Sequence, residues 1–343
     1  MRILYAVQAT GNGHVSRAIT LLPHLEKKGT VDVFLSGSNC HLNPQLPIRF
    51  RSKGISLYYN NKGGLNYGKI AFQRNPIKVI QEAKSLPVEK YDLVINDFEF
   101  ITSLSCMMKK VPSIHFGHQA SFHYQPTPRP TPKSWHGELL LNEFVQATHH
   151  IGLHFDSYHP NIYGPIIKEQ FLTTNPTDGG HITVYLPAVK QEKLQQILLQ
   201  LPAQKFEIFS KEVKYPYRFR NLFYYPIDQD NFNKSLISCS GIICGAGFET
   251  PAEAMQLGKK ILAIPIEGQY EQFCNASALE NMGVTVMRIK KLNPLVIQNW
   301  LTSGKIIRKN YKNSITDSLE HLFSLGMNEN NTMIKPYFSL FAP

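Results

Sequence analysis

The sequence predicts an α/β protein built from two doubly wound parallel-sheet domains that face a central cleft, and three observations predict it. Short β-branched or apolar runs alternate with longer stretches of helical periodicity through both halves of the chain. The stretch 163–180, YGPIIKEQFLTTNPTDGG, is bracketed by Pro and Gly and weakly periodic inside, as an interdomain connection is. The 343 residues, 43% of them hydrophobic, suffice for two domains with cores of their own.

In the first half the expected strands are Ile3 to Val7, Val31 to Leu35, Ile55 to Tyr59, Leu93 to Asn96, Ser113 to Phe116 and Ile151 to Phe155. A helix from about Val15 to Lys28, closed by Gly29, joins the first two. A long loop rich in Pro, His and aromatics follows between Gly117 and Gly137, and loops of that length are commonly functional. The second half supplies Ile182 to Leu186, a helix from about Val189 to Leu201, then Phe206 to Phe209, Leu222 to Tyr225, Gly241 to Cys244, Lys260 to Ile264 and Val284 to Met287. The domains expected are 1–163 on the acceptor side, 164–327 on the donor side, and a tail, 328–343, packing back on the first. Ligands of open parallel sheets bind at the carboxyl ends of the strands, so the cleft between the two strand sets is where a site belongs.

A charge of +11 favours anionic partners: nucleotide phosphates, acidic lipid headgroups or nucleic acid. The basic residues are scattered and no nucleic-acid module is recognisable, so nucleic acid is not expected. Five cysteines without a CxxC pair fit a reducing, cytoplasmic setting. The first residues run straight into a strand without the pattern of a signal peptide, and no apolar run is long enough to span a membrane.

The most informative segment is GAGFETPAEAMQLGKKILAIPIEGQYEQFCNA, residues 245–276. It follows an apolar strand, and its glycines let backbone N–H groups turn toward an anion at the mouth of the next helix. Thr250, Pro251 and Glu253 are spaced as a capping box with proline at the first helical position. GAGFETPAEA followed by a Pro, an EQ pair and NA resembles the donor-binding region of nucleotide-sugar glycosyltransferases of the GT-B, Rossmann-like type. That group includes the GlcNAc transferase of peptidoglycan lipid synthesis and the UDP-glycosyltransferases. The resemblance implies that Gly245, Gly247, Phe248, Glu249 and Thr250 form the diphosphate seat and that Glu253 grips the ribose. It places Glu271 and Gln272 on the transferred sugar, with Gln269 and Asn275 nearby. One departure is that several members carry a phosphate-contacting His where this chain has Gly245. Glu253 also reads as a simple helix cap.

Gly11, Asn12, Gly13 and His14 open the first helix directly after the first strand, and Arg17 follows one turn later. Ser16 stands where the dinucleotide fingerprint wants a small glycine or alanine, and Ser36-Gly37 where it wants an acid, which disfavours a dehydrogenase. The positive end of a helix keeps a histidine neutral and able to accept a proton. In the resembling group a His of this loop is often the base that deprotonates the acceptor, so His14 is the expected catalytic base. Asp97 ends its strand at the same edge and would orient His14, with Glu99 a competitor and helix capping by Asp97 an equal alternative. His115 and His118 would line the acceptor side with Gly11, Gly13 and Arg17.

The reaction implied is transfer of a hexosyl group from a nucleotide diphosphate-sugar, UDP-linked by family frequency, with inversion and without a metal or other cofactor. A nucleotide-sugar hydrolase and a non-catalytic binding subunit are the alternatives. Asp228-Gln229-Asp230 fits a metal-binding DxD pattern, but Asp230 reads as an N-cap. His149, His150, His154 and His159 fall on opposite strand faces, against a metal site. The charge and the aromatics Phe122, Tyr124 and Trp135 suggest a lipid-linked or glycan acceptor and peripheral contact with an anionic membrane, in a cell-envelope role.

Overall fold

The computed structural model describes residues 1–9, 13–37, 46–55 and 75–328. Gly11, Asn12 and most of the strand expected at Ile55 to Tyr59 lie outside the described residues. The first unit contains β1 (Arg2–Gln8), α1 (Gly13–Glu26), β2 (Thr30–Ser36), β3 (Ile48–Ser52), α2 (Pro76–Ser85), β4 (Leu93–Asp97), α3 (Phe100–Lys109), β5 (Ile114–Gly117), α4 (Trp135–Glu143), β6 (His149–Leu153) and β7 (Ile162–Tyr163). A short α5 (Glu169–Thr173) lies in the connection. The second unit contains β8 (His181–Tyr185), α6 (Gln191–Leu198), β9 (Lys205–Phe209), β10 (Tyr217–Phe219), β11 (Leu222–Tyr225), α7 (Gln229–Ser238), β12 (Gly241–Gly245), α8 (Glu249–Gln256), β13 (Lys260–Ile264), α9 (Tyr270–Asn281), β14 (Thr285–Val286) and α10 (Pro294–Ser303), before α11 (Ser314–Asn328).

Each unit holds a seven-stranded sheet, ordered β3-β2-β1-β4-β5-β6-β7 and β10-β11-β9-β8-β12-β13-β14. All described pairs are parallel except the β10–β11 hairpin at one edge. Strands buried on both faces read as near-continuous apolar runs, and β1 is buried from Ile3 through Gln8. Its register places Val7 opposite Asp97, so the helix that follows β1 and the acidic end of β4 emerge side by side.

The hydrophobic core runs from the first sheet through Ile166, Ile167 and Phe171 of the connection to Ala252 and Met255 on α8. It takes in Ile315, Leu319, Leu322 and Phe323 of α11 as well. The chain therefore returns to the first unit: the Tyr163 hydroxyl meets His321 Nδ1 at 2.9 Å, and the Lys28 ammonium lies over the Phe323 ring. This crossing falls within the range expected for the second unit, and the expected tail after residue 328 lies outside the described residues. A second interdomain cluster joins Phe122 and Leu141 to Tyr270 and Cys274. There the Tyr270 hydroxyl donates to Glu138 Oε1 at 2.6 Å, and a Cβ on Gly137 would stand 2.2 Å from the Tyr270 ring, so that glycine permits the contact.

Candidate active site in the interdomain cleft

The carboxyl ends of β1 and β4 supply one wall. His14 Nδ1 lies 2.8 Å from Asp97 Oδ1. Arg17 Nε donates to Asp97 Oδ2 at 2.9 Å and Nη2 to Oδ1 at 2.8 Å, a two-pronged pair with Asp97 fully buried and Arg17 3% exposed. Arg17 Nη2 also comes within 2.9 Å of His14 Nδ1. Nδ1 can serve only one of these contacts: the Asp97 carboxylate can only accept, so a bond to it requires the Nδ1–H tautomer, which leaves Nε2 bare. Burial disfavours the Asp97 charge, but Arg17 and then His14 outweigh it and hold its carboxyl well below the usual range. Gly117 makes this packing possible, since a Cβ there would lie 2.8 Å from Asp97 Oδ1.

Glu99 takes a different place from the one expected as a competitor for His14. Its carboxylate accepts from the Ile101 and Thr102 amides at 2.8 and 2.6 Å and caps α3, so Glu99 is the cap and Asp97 holds the imidazole. His118 is buried between the domains. Its Nδ1 donates to Leu153 O, its Nε2 lies 2.8 Å from Asn275 Oδ1, and its ring stacks on Phe248 at 4.0 Å. Burial lowers its basicity, against the raising effect of Glu271. His118, Phe248 and Asn275 are thus brought together as an interdomain joint. His115 is buried between Phe98 and His150.

The opposite wall is the start of α8. The helix begins two residues before the expected box: Phe248 is the N-cap without a side-chain bond, Glu249 the first residue and Pro251 the third. Thr250 is therefore not the cap, and Glu253 makes no capping bond. Glu253 is 3% exposed and pairs with Lys168 Nζ at 2.8 Å, and burial raises its pKa although Lys168 opposes this. Glu249 turns across the cleft, where Oε1 accepts from Arg17 Nη1 at 2.6 Å, so its carboxylate is engaged by a cation of the first unit.

Two adjoining cavities fill the space between these walls. The larger, about 590 Å³, is lined by the loop after β8, by Gly245, Gly247 and Thr250, and by Ile264 to Glu267, Gln269 and Gln272. Lys211, which the sequence reading did not single out, contributes a cation to its wall. The smaller, about 170 Å³, is lined by Gln8, Gly13, His14, Arg17, Phe98, His118, Gln119 and Gly247 to Glu249, with Gln269, Glu271 and Gln272 at its far side. Gly247, Gln269 and Gln272 belong to both, so the cavities share a boundary. A Cβ on Gly247 would meet no atom within 4 Å and would project into open space. Gln272 is folded back on its own loop, accepting from the Ile266 amide and donating to Gln269, and Glu271 accepts from Gln119 at 3.1 Å.

Gln8 and Gly117 carried a signal in the sequence: a glutamine closing an apolar strand, and a glycine closing another. Asp228, two residues earlier than expected, is the N-cap of α7, with Asp230 in the first turn. Among the described residues, no group of three or more His, Cys, Asp or Glu side chains is arranged to hold a metal ion, and no helix is long and apolar enough to cross a membrane. Of the three aromatics read as a membrane-facing loop, Phe122 is buried between the domains and Tyr124 donates to His150 O, while Trp135 is 69% exposed.

No curated protein matches the chain in sequence. Among solved structures, MurG of Acinetobacter baumannii superposes with a TM-score of 0.60 at 16% identity, covering 94% of this chain and 99% of that one. UGT2 of Phytolacca americana, complexed with UDP-2fluoro-glucose and pterostilbene, gives 0.58 at 13% identity over 95% and 93%. The glycosyltransferase SnogD of Streptomyces nogalater gives 0.52 at 13% identity over 96% and 95%. These likenesses share the GT-B fold. The model of glycosyl transferase family 1 matches residues 1–303, and the chain belongs to that family.

Proposed function

We propose that the protein transfers a hexosyl group from a nucleotide diphosphate-sugar, UDP-linked, to an acceptor hydroxyl, with inversion and without a metal. The observation that carries this reading is that His14 and the start of α8 line the same cavity, which adjoins a larger one of about 590 Å³. In the proposed reaction the donor occupies the larger cavity. The first amides of α8 face its diphosphate, where the helix dipole favours anionic charge. The acceptor oxygen bonds to the anomeric carbon as the bond from that carbon to the phosphate oxygen breaks. The acceptor proton passes to His14 Nε2, Asp97 balances the resulting imidazolium, and the nucleoside diphosphate leaves. The amides act on the leaving group, where charge builds in the transition state.

Glu253 takes the ribose in this reading by exchanging its bond to Lys168 for the sugar hydroxyls, and Glu271 with Gln272 faces the transferred sugar. Incubating the protein with UDP-hexoses and a panel of glycan, lipid-linked and small hydroxylated acceptors tests the proposal: a new glycoside together with UDP is expected, and UDP-sugar left intact throughout defeats it.

The small volume beside His14 favours a second reading. About 170 Å³ accommodates about five water molecules or a small acceptor, so delivery of water in place of an alcohol is supported too. Release of free sugar in the absence of any acceptor, at a rate that added acceptors leave unchanged, identifies a hydrolase.

A further inference from the structure

Glu249 belongs to the donor half of the molecule, yet its closest polar partner is in the other half. Four side chains form a continuous chain across the cleft. Glu249 Oε1 receives Arg17 Nη1 at 2.6 Å, Arg17 grips Asp97 through Nε and Nη2 at 2.9 and 2.8 Å, and Asp97 Oδ1 meets His14 Nδ1 at 2.8 Å. A Cβ on Gly13 would stand 3.1 Å from Glu249 Oε2, so the first residue of α1 packs directly on this carboxylate.

The charges decide what this arrangement does. With a neutral imidazole, one guanidinium and two carboxylates leave the cluster one negative charge in excess, and a proton taken by His14 brings it to neutrality. Without Glu249, Arg17 already cancels Asp97, and the same proton leaves a net positive charge beside two buried groups. Uncompensated charge is costly where water is excluded. Resting on the reading of His14 as the base, we propose that Glu249 is a positioning residue that acts through Arg17, supplying the second negative charge that makes His14 competent only when the domains are closed. It is then no ligand of the donor diphosphate, the role its sequence position implies.

The other titratable groups facing the cluster leave this balance intact. Tyr5 on β1 stays a neutral phenol, because burial and then Asp97 raise it. His115 on β5 stays neutral, pushed down by burial to about 3. His118 is likewise lowered by burial. Glu271 on α9 is the remaining carboxylate of the cavity, and it lies 3.9 Å from His118 Nε2 and bonds to Gln119.

The test is E249Q, with E249D as the charge-preserving control. Glu249 is 27% exposed, and in E249Q the amide oxygen can still accept from Arg17 Nη1 while Arg17 keeps its pair with Asp97. In E249Q, kcat for donor turnover falls on the order of tenfold while donor KM and UDP affinity by calorimetry stay the same or tighten. The acid limb of kcat moves to lower pH, since an imidazolium that has lost a neighbouring anion gives up its proton more readily. E249D recovers most of the rate and restores the limb. Weaker UDP binding with an unmoved limb makes Glu249 a donor ligand and overturns the proposal, as does an unchanged kcat. H14A, assayed in parallel, separates the two levels: full turnover in H14A removes the base assignment itself, whereas turnover lost in H14A and untouched in E249Q removes only the role of Glu249.

Discussion

The two walls of the cleft are built on opposite plans. On the first-domain side every charged group is already engaged: Asp97 spends both oxygens on Arg17 and His14, and Arg17 is bonded in both directions across the cleft. On the second-domain side the helix start has no side-chain cap, Gly247 faces open space and a cavity of about 590 Å³ lies beneath it. One wall is a network of internal bonds and the other frames a cavity. The difference teaches that the expected base depends on bonds made within the protein, whereas the proposed donor seat depends on the shape of the cavity around it.

The comparison breaks most sharply at His14. H14A is expected to lower turnover by about 10²- to 10⁴-fold while leaving UDP affinity by calorimetry unchanged, because its contribution is to proton transfer alone. D97N follows, with turnover down on the order of 10²-fold from the loss of the imidazolium partner. It also strands Arg17 without its buried partner, so urea unfolding is expected to show a loss of about 3 kcal/mol or more. On the second-domain wall the expected effect is smaller and of another kind. G247A raises donor KM by about tenfold with near-normal kcat and an unchanged melting temperature, since the added methyl meets no protein atom but occupies ligand space.

A further effect is on stability and comes from histidines outside the chain from His14 to Glu249. Burial pushes His115 down to about 3 and His150 to about 2 from an ordinary 6.5. Both are therefore neutral in the folded protein while the unfolded chain binds protons below pH 6.5. Their contribution is fully present above that value and is lost progressively as the pH falls toward 3. Denaturant midpoints measured from pH 7.5 to 4.5 should decline, and H115F should flatten the decline.

Much of the architecture was legible because it is written locally. Buried parallel strands are apolar runs, and the element order follows from their alternation with helices. The strand Ile48–Ser52 escaped notice because IRFRS, toward the edge of its sheet, faces water with both arginines. The capping pattern at Thr250 and Glu253 misled for a related reason: Pro251 is tolerated anywhere in the first helical turn, so it marks the start of α8 only to within a turn. The site was legible in its types and in one pairing, Asp97 with His14, and not in the others. His14 and Asp97 were readable from their places after strand ends, but the bond from Asp97 to Arg17 spans 80 positions and that from Arg17 to Glu249 spans 232. No periodicity carries information over such separations. An acidic residue at a helix start reads as dipole compensation, and only the closed cleft reveals the guanidinium opposite.

The return of α11 to the first sheet gives the molecule two covalent bridges between its halves, the connection at 164–180 and the segment entering Ser314. A single tether would let the halves swivel about any axis, whereas two tethers on neighbouring surfaces leave mainly a jaw-like opening. An opening of that kind would bring Glu249 back to the same guanidinium on closing. Registration of the two walls is in that sense inherited from chain connectivity.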